Sequence, residues 1–79
     1  MKHVIDLHGL THKEAVKKVE GELINISLSS YWEVELITGK SQAMKDIIIK
    51  EVLKPYNFFY QQSIANEGVI MVIQDSFPS

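Results

Sequence analysis

The chain has 79 residues, 46% apolar and 23% charged, with a net charge of −2 and neither cysteine nor arginine. This describes one small globular domain able to bury about 60% of its surface. It excludes a disulfide scaffold, a cysteine-ligated zinc or iron–sulfur site, and a strongly basic nucleic-acid binder.

His3 to His8 reads as a short first strand, with Val4, Ile5 and Leu7 supplying β character before the break at Gly9. Thr11-His12-Lys13-Glu14 has the form of a capping box. Ala15, Val16, Val19, Leu23 and Ile26 then recur at three- and four-residue spacings, which predicts an amphipathic helix ended by Ser27, Ser29 and Ser30. Gly21 inside that helix points to a close packing contact. Trp32 to Thr38 alternates as a second strand, and Thr38-Gly39-Lys40-Ser41 is a turn. A second helix follows from about Ser41, with Met44, Ile47, Ile48, Val52 and Leu53 inward, Lys45 and Lys50 outward, and Pro55 as its stop. Phe58 to Ile64 and Val69 to Gln74 form a hairpin around Asn66-Glu67-Gly68, and Asp75 to Ser79 reads as a frayed tail.

The predicted order is βαβαββ. Two helices cannot cover both faces of four strands, so the expected fold is an α/β two-layer sandwich: a mixed sheet, both helices on one face, the other face open. No linker or repeat divides the chain, so residues 1–79 are read as a single domain with its core at about 3–74. The longest apolar run, Val69 to Ile73, is too short to span a bilayer, and Asp6 comes too early for a signal peptide. With no cysteine, a reducing cytoplasmic setting is expected.

Charge is unevenly placed. Residues 1–18 carry four lysines, 19–35 carry four glutamates and no lysine, and 38–54 carry four lysines. A fold that joins the two basic stretches would create a positive patch on an acidic protein.

Asp6 and His8 share one face of the first strand, opposite Ile5 and Leu7, at its carboxyl end. A carboxylate there can orient an imidazole for proton transfer, hold part of a metal site, or simply cap the loop. His12 on the first helical turn reads as exposed. Thr38-Gly39-Lys40-Ser41 is not a nucleotide-triphosphate loop, since position 34 is Val where that motif needs Gly. A Gly-containing strand-to-helix turn with Lys40 still offers free backbone N–H groups to one phosphate. Of Tyr56, Phe58, Phe59 and Tyr60, alternation sends some to the open face, where they could stack on bases.

Ile5-Asp6-Leu7-His8-Gly9-Leu10-Thr11, a helix with Glu14 and Ala15, Leu36-Ile37-Thr38-Gly39-Lys40, a second helix and a hairpin with Gly68-Val69 together resemble the Smr (small MutS-related) domain. The resemblance covers about residues 3–74. It implies a fold like the C-terminal domain of bacterial initiation factor three, and nucleic-acid work. It also implies that Asp6 and His8 are catalytic, with Thr38, Gly39, Lys40 and Ser41 as the second motif. Two positions depart from the family pattern: Thr38 removes a second imidazole, and Ser41 stands where Gly is usual.

The function expected is a weak endonuclease nicking DNA or cleaving structured RNA. The alternative is a non-catalytic module binding DNA, RNA or a ribosomal surface. In both, Lys13, Lys45 and Lys17 would position a phosphate backbone beside the Thr38–Ser41 turn. Mg2+ or Mn2+ is the expected cofactor if Asp6 is a metal ligand. The domain is expected as a monomer or weak homodimer, away from membranes, and as either a free-standing protein or part of a larger MutS-like chain.

Overall fold

A capping box opens the first helix, as its sequence predicts. In the computed structural model, which describes residues 2–29, 31–63 and 66–73, Thr11 holds extended backbone angles. Its hydroxyl accepts from the Glu14 N–H at 3.1 Å, while the Glu14 carboxylate accepts from the Thr11 N–H at 2.9 Å. Helix α1 runs His12–Ile26 and buries Ala15, Val19 and Leu23. The close contact expected at Gly21 is absent: a methyl group there would meet nothing within 4 Å. The glycine lies on the exposed side of the helix, away from the apolar stripe.

The strands are β1 (Lys2–Asp6), β2 (Glu33–Ile37), β3 (Phe59–Gln62) and β4 (Val69–Ile73), in the sheet order β1-β2-β4-β3. β1 and β2 are parallel, and the other two pairings are antiparallel. The β3 expectation extended to Ile64 and the β4 expectation to Gln74; both of those residues, and the 75–79 tail, lie outside the described residues. Register sets the faces. Rows Ile5–Leu36–Ile70–Gln62 and His3–Val34–Val72–Tyr60 point to the helices. Rows Lys2–Glu33–Ile73–Phe59, Val4–Glu35–Met71–Gln61 and Asp6–Ile37–Val69 point the other way. Leu7 and Trp32, just beyond the strand ends, join the core, and Trp32 meets Phe58 edge to face at 6.0 Å.

Helix α2 (Gln42–Ile48) starts at Ser41, whose hydroxyl accepts from the Met44 N–H at 3.1 Å. At Ile49 the helix widens into a π-helical turn, Ile49–Leu53, and the Lys54 N–H reaches the Ile49 carbonyl at 2.9 Å. Pro55 has no N–H to continue a regular helix, and its ring would crowd the carbonyl four residues back. The wider turn places Val52 and Leu53 side by side in the core. Pro55 therefore follows a change of helical geometry instead of ending one uniform helix. Lys45, expected outward, is only 6% exposed. It precedes Ile48 by three residues and Val52 by seven, so it belongs to the buried stripe.

The result is the expected two-layer sandwich, with α1 and α2 packed on each other and on one face of the sheet. Among the described residues no helix is long and apolar enough to cross a membrane.

Candidate functional site

Because β1 and β2 are parallel, their carboxyl ends finish side by side. The Leu7 N–H donates to the Ile37 carbonyl at 2.9 Å, carrying the ladder one step past Asp6. One side of the resulting shelf carries Asp6 and His8, and the other carries Thr38 to Ser41.

Asp6 and His8 are both exposed, on the side of β1 opposite Ile5 and Leu7, as alternation predicts. The Asp6 carboxylate accepts from the backbone N–H of His8 at 2.9 Å. The Leu10 N–H then closes the turn on the Leu7 carbonyl at 3.2 Å, with Gly9 at φ 82°, a conformation glycine takes without strain. Asp6 thus fixes the loop that carries His8 through the backbone and makes no bond to the ring. His8 is exposed, and among the described residues its imidazole has no hydrogen-bond partner.

Opposite it, Thr38 is 6% exposed and its hydroxyl lies 2.9 Å from the Gly39 carbonyl and 3.2 Å from the Gly68 carbonyl. The N–H groups of Thr38 and Gly39 also donate to Gly68, at 2.8 and 3.2 Å. Gly39 sits at φ 69°. A methyl group on Gly68 would lie 3.3 Å from two backbone atoms of Gly39, so the turn and the start of β4 are in direct backbone contact. This corrects one expectation: the Gly39 N–H is spent inside the fold and is not free for a phosphate. The backbone N–H groups of Lys40 and Ser41 have no acceptor among the described residues, and the Lys40 side chain is exposed. The Ser41 hydroxyl caps α2.

The lysines divide. Lys13 and Lys17 on α1 are exposed, as expected. Lys45 is buried, with no acidic partner among the described residues, so it supplies a charge from behind the surface rather than a mobile side chain. His12 is exposed but also lines a cleft of about 360 Å³ with Ala43, Asp46, Ile47, Lys50 and Glu51. Sequence reading missed that cleft. Its signal was the position of His12, three and four residues before Ala15 and Val16 and so on the edge of the inward stripe. Gln42 Nε2 donates to Asp46 at 2.9 Å and steadies one wall.

Among the described residues no three His, Asp or Glu side chains gather to hold a metal. Asp6 could contribute one oxygen beside a phosphate, an arrangement Mg2+ accepts because it keeps several waters. Of the aromatics, Phe59 alone faces the open side of the sheet, half exposed. Phe58 and Tyr60 pack against the core, and the Tyr56 hydroxyl donates to Glu20 at 2.8 Å.

The arrangement offers an accessible imidazole on a braced loop, with an exposed lysine and two unsatisfied backbone donors on the adjacent strand end. It suits an anionic ligand and proton transfer close to it. Neither the curated proteins nor the solved structures contain a match to this chain. The family model of the Smr domain matches residues 5–72, which include both strand-end motifs and β4 up to Val72. The chain belongs to the Smr domain family, a nucleic-acid-related family.

Proposed function

We propose that this domain grips the phosphate backbone of DNA or structured RNA at the shared ends of β1 and β2 and cleaves a phosphodiester there. The observation carrying this reading is the parallel pairing that sets exposed His8 beside the exposed Lys40 turn. A neutral His8 nitrogen takes the proton from the attacking water or ribose hydroxyl as the new P–O bond forms. Lys40, with the backbone N–H groups of Lys40 and Ser41, meets the negative charge that builds on the non-bridging oxygens. The old P–O bond then breaks, and the leaving oxygen takes a proton from the imidazolium or from water. Asp6 is a positioning residue for the His8 loop. Its second oxygen would hold Mg2+ or Mn2+, which would supply positive charge beside the same phosphate. Lys13 and Lys17 steer the backbone without reading sequence, and Lys45 adds buried positive charge.

A second reading is favoured by a specific observation. The Asp6 carboxylate and the Gly39 N–H are both committed to internal hydrogen bonds, which suits a binding module for DNA, RNA or a ribosomal surface. The test is cleavage of supercoiled plasmid and of a structured RNA by wild type, His8→Ala and Lys40→Ala, with Mg2+ or Mn2+ and with chelator. Loss of cleavage in His8→Ala, with binding kept, supports the nuclease. Salt-dependent binding that weakens in Lys40→Ala, with no cleavage by any variant, supports the binding module. Equal cleavage by wild type and His8→Ala would remove the chemistry from this loop.

A further inference from the structure

The sheet face opposite the helices has two unlike halves. On the β4 and β3 side lie Ile73, Met71 and Phe59, the last 50% exposed; Ile37 and Val4, the latter 56% exposed, extend this apolar surface across to β1. The β1 and β2 side carries Glu33, Glu35 and Asp6 against Lys2 alone. Lys2 is already paired with Glu35 at 3.2 Å, and Glu33 has no cationic partner among the described residues. No described helix packs here.

We propose that this face docks an amphipathic helix from a protein partner, with an apolar stripe and lysine or arginine along one flank. Size supports it. Four strands span about 14 Å and five residues of strand about 17 Å. A helix about 10 Å wide and three turns long, about 16 Å, covers that area. A helix there would also add the third layer that this sandwich lacks.

Charge selects the occupant. A nucleic acid lying across this face would meet the carboxylates of Glu33 and Glu35. A second copy fares no better. Face to face about a two-fold axis across the strands, acids meet acids. About a two-fold axis along the strands, the acidic half of each copy meets the apolar half of the other. Both arrangements bury carboxylates without partners. A basic flank over β1 and β2, with an apolar stripe over β4 and β3, satisfies both halves at once. The surface touches the proposed cleavage site only at Asp6 on its edge; it uses neither His8 nor Lys40, and the titration below reads residues outside that site.

The test is an NMR titration of the isotope-labelled full chain with a designed leucine–lysine helix of about 14 residues, its lysines on one flank. A leucine–glutamate counterpart serves as the comparison. Saturable shifts at Val4, Glu33, Glu35, Met71 and Ile73, with the acidic peptide binding about tenfold weaker or not at all, are expected. Met71→Glu should weaken the basic peptide by at least about tenfold. Glu33→Lys, which leaves the apolar half intact, should weaken it by about threefold. Unchanged thermal midpoints in both variants verify that they fold. Shifts confined to the helices or the His8 loop, equal binding of both peptides, or undiminished binding by Met71→Glu would overturn the proposal. So would concentration-dependent dimerisation that produces the same shifts without peptide.

Discussion

Gly68→Ala tests whether the contact between the two strand-end motifs is as tight as it looks. The added methyl would sit 3.3 Å from both the Cα and the carbonyl carbon of Gly39, and backbone cannot swing aside as a side chain can. The chain at Gly68 has no positive φ, so alanine meets no conformational strain of its own. Alanine should recover about 0.4–1 kcal/mol by stiffening the unfolded chain. Forcing an extra carbon into a packed contact costs about 1–3 kcal/mol. The expected net loss is about 1 kcal/mol, which for a domain of this size lowers Tm by about 6 °C. The strain falls on the bonds from Thr38 and Gly39 to the Gly68 carbonyl, so the Lys40 turn should move with it. Thermal unfolding followed by circular dichroism, alongside nucleic-acid binding, checks both parts. An unchanged or raised Tm would refute the reasoning, because it would mean that the Gly39–Gly68 approach is loose.

Gly21→Ala is the counterpart, since its methyl meets open space in the middle of α1; Tm should rise by about 4–6 °C, from a gain of up to about 1 kcal/mol. Lys45→Met keeps much of the volume of this buried side chain and removes its polar end, and should stabilise the fold by up to about 1 kcal/mol in a urea titration while weakening nucleic-acid binding. Glu14 is held below its usual value near 4.5 by the Thr11 backbone N–H and then by the Thr11 hydroxyl. A depressed carboxyl contributes stability above its unfolded value and loses it as pH falls through the folded one. The Tm gap between wild type and Glu14→Ala should therefore be full at neutral pH and shrink below about pH 4.5.

Local chemistry made most of the fold legible. Thr11 with Glu14, Ser41, Gly9 and the alternation of Ile5, Leu7, Val34 and Leu36 each act within a few residues, so sequence spacing suffices to read them. The face of Asp6 and His8 followed from the same alternation. What stayed hidden depends on contacts between distant residues. Gly68 is 29 positions from Gly39, and only the sheet order shows that its carbonyl consumes the N–H expected to bind a phosphate. The capping of the His8 loop by Asp6 was legible as one of three alternatives, and the bond from the His8 N–H to the Asp6 carboxylate is present in the fold. Lys45 misled because residue type was weighed above position: its spacing from Ile48 and Val52 put it in the buried stripe. The widening at Ile49 left no periodic signal, since the π turn keeps apolar residues inward and changes only their angular step.

The sheet order also bears on how the molecule comes into being. β4, the last strand among the described residues, lies between β2 and β3 and is there the one strand paired with β3. During synthesis, β1, α1 and β2 can associate early, but β3 must wait without a neighbour until Ile73 is free. β4 must therefore pair with both β2 and β3 before the four strands form one sheet. A chain cut before Gly68 would lose both β4 and the carbonyl that braces the Lys40 turn, so such truncated products should be left open to proteases while the 79-residue chain resists them.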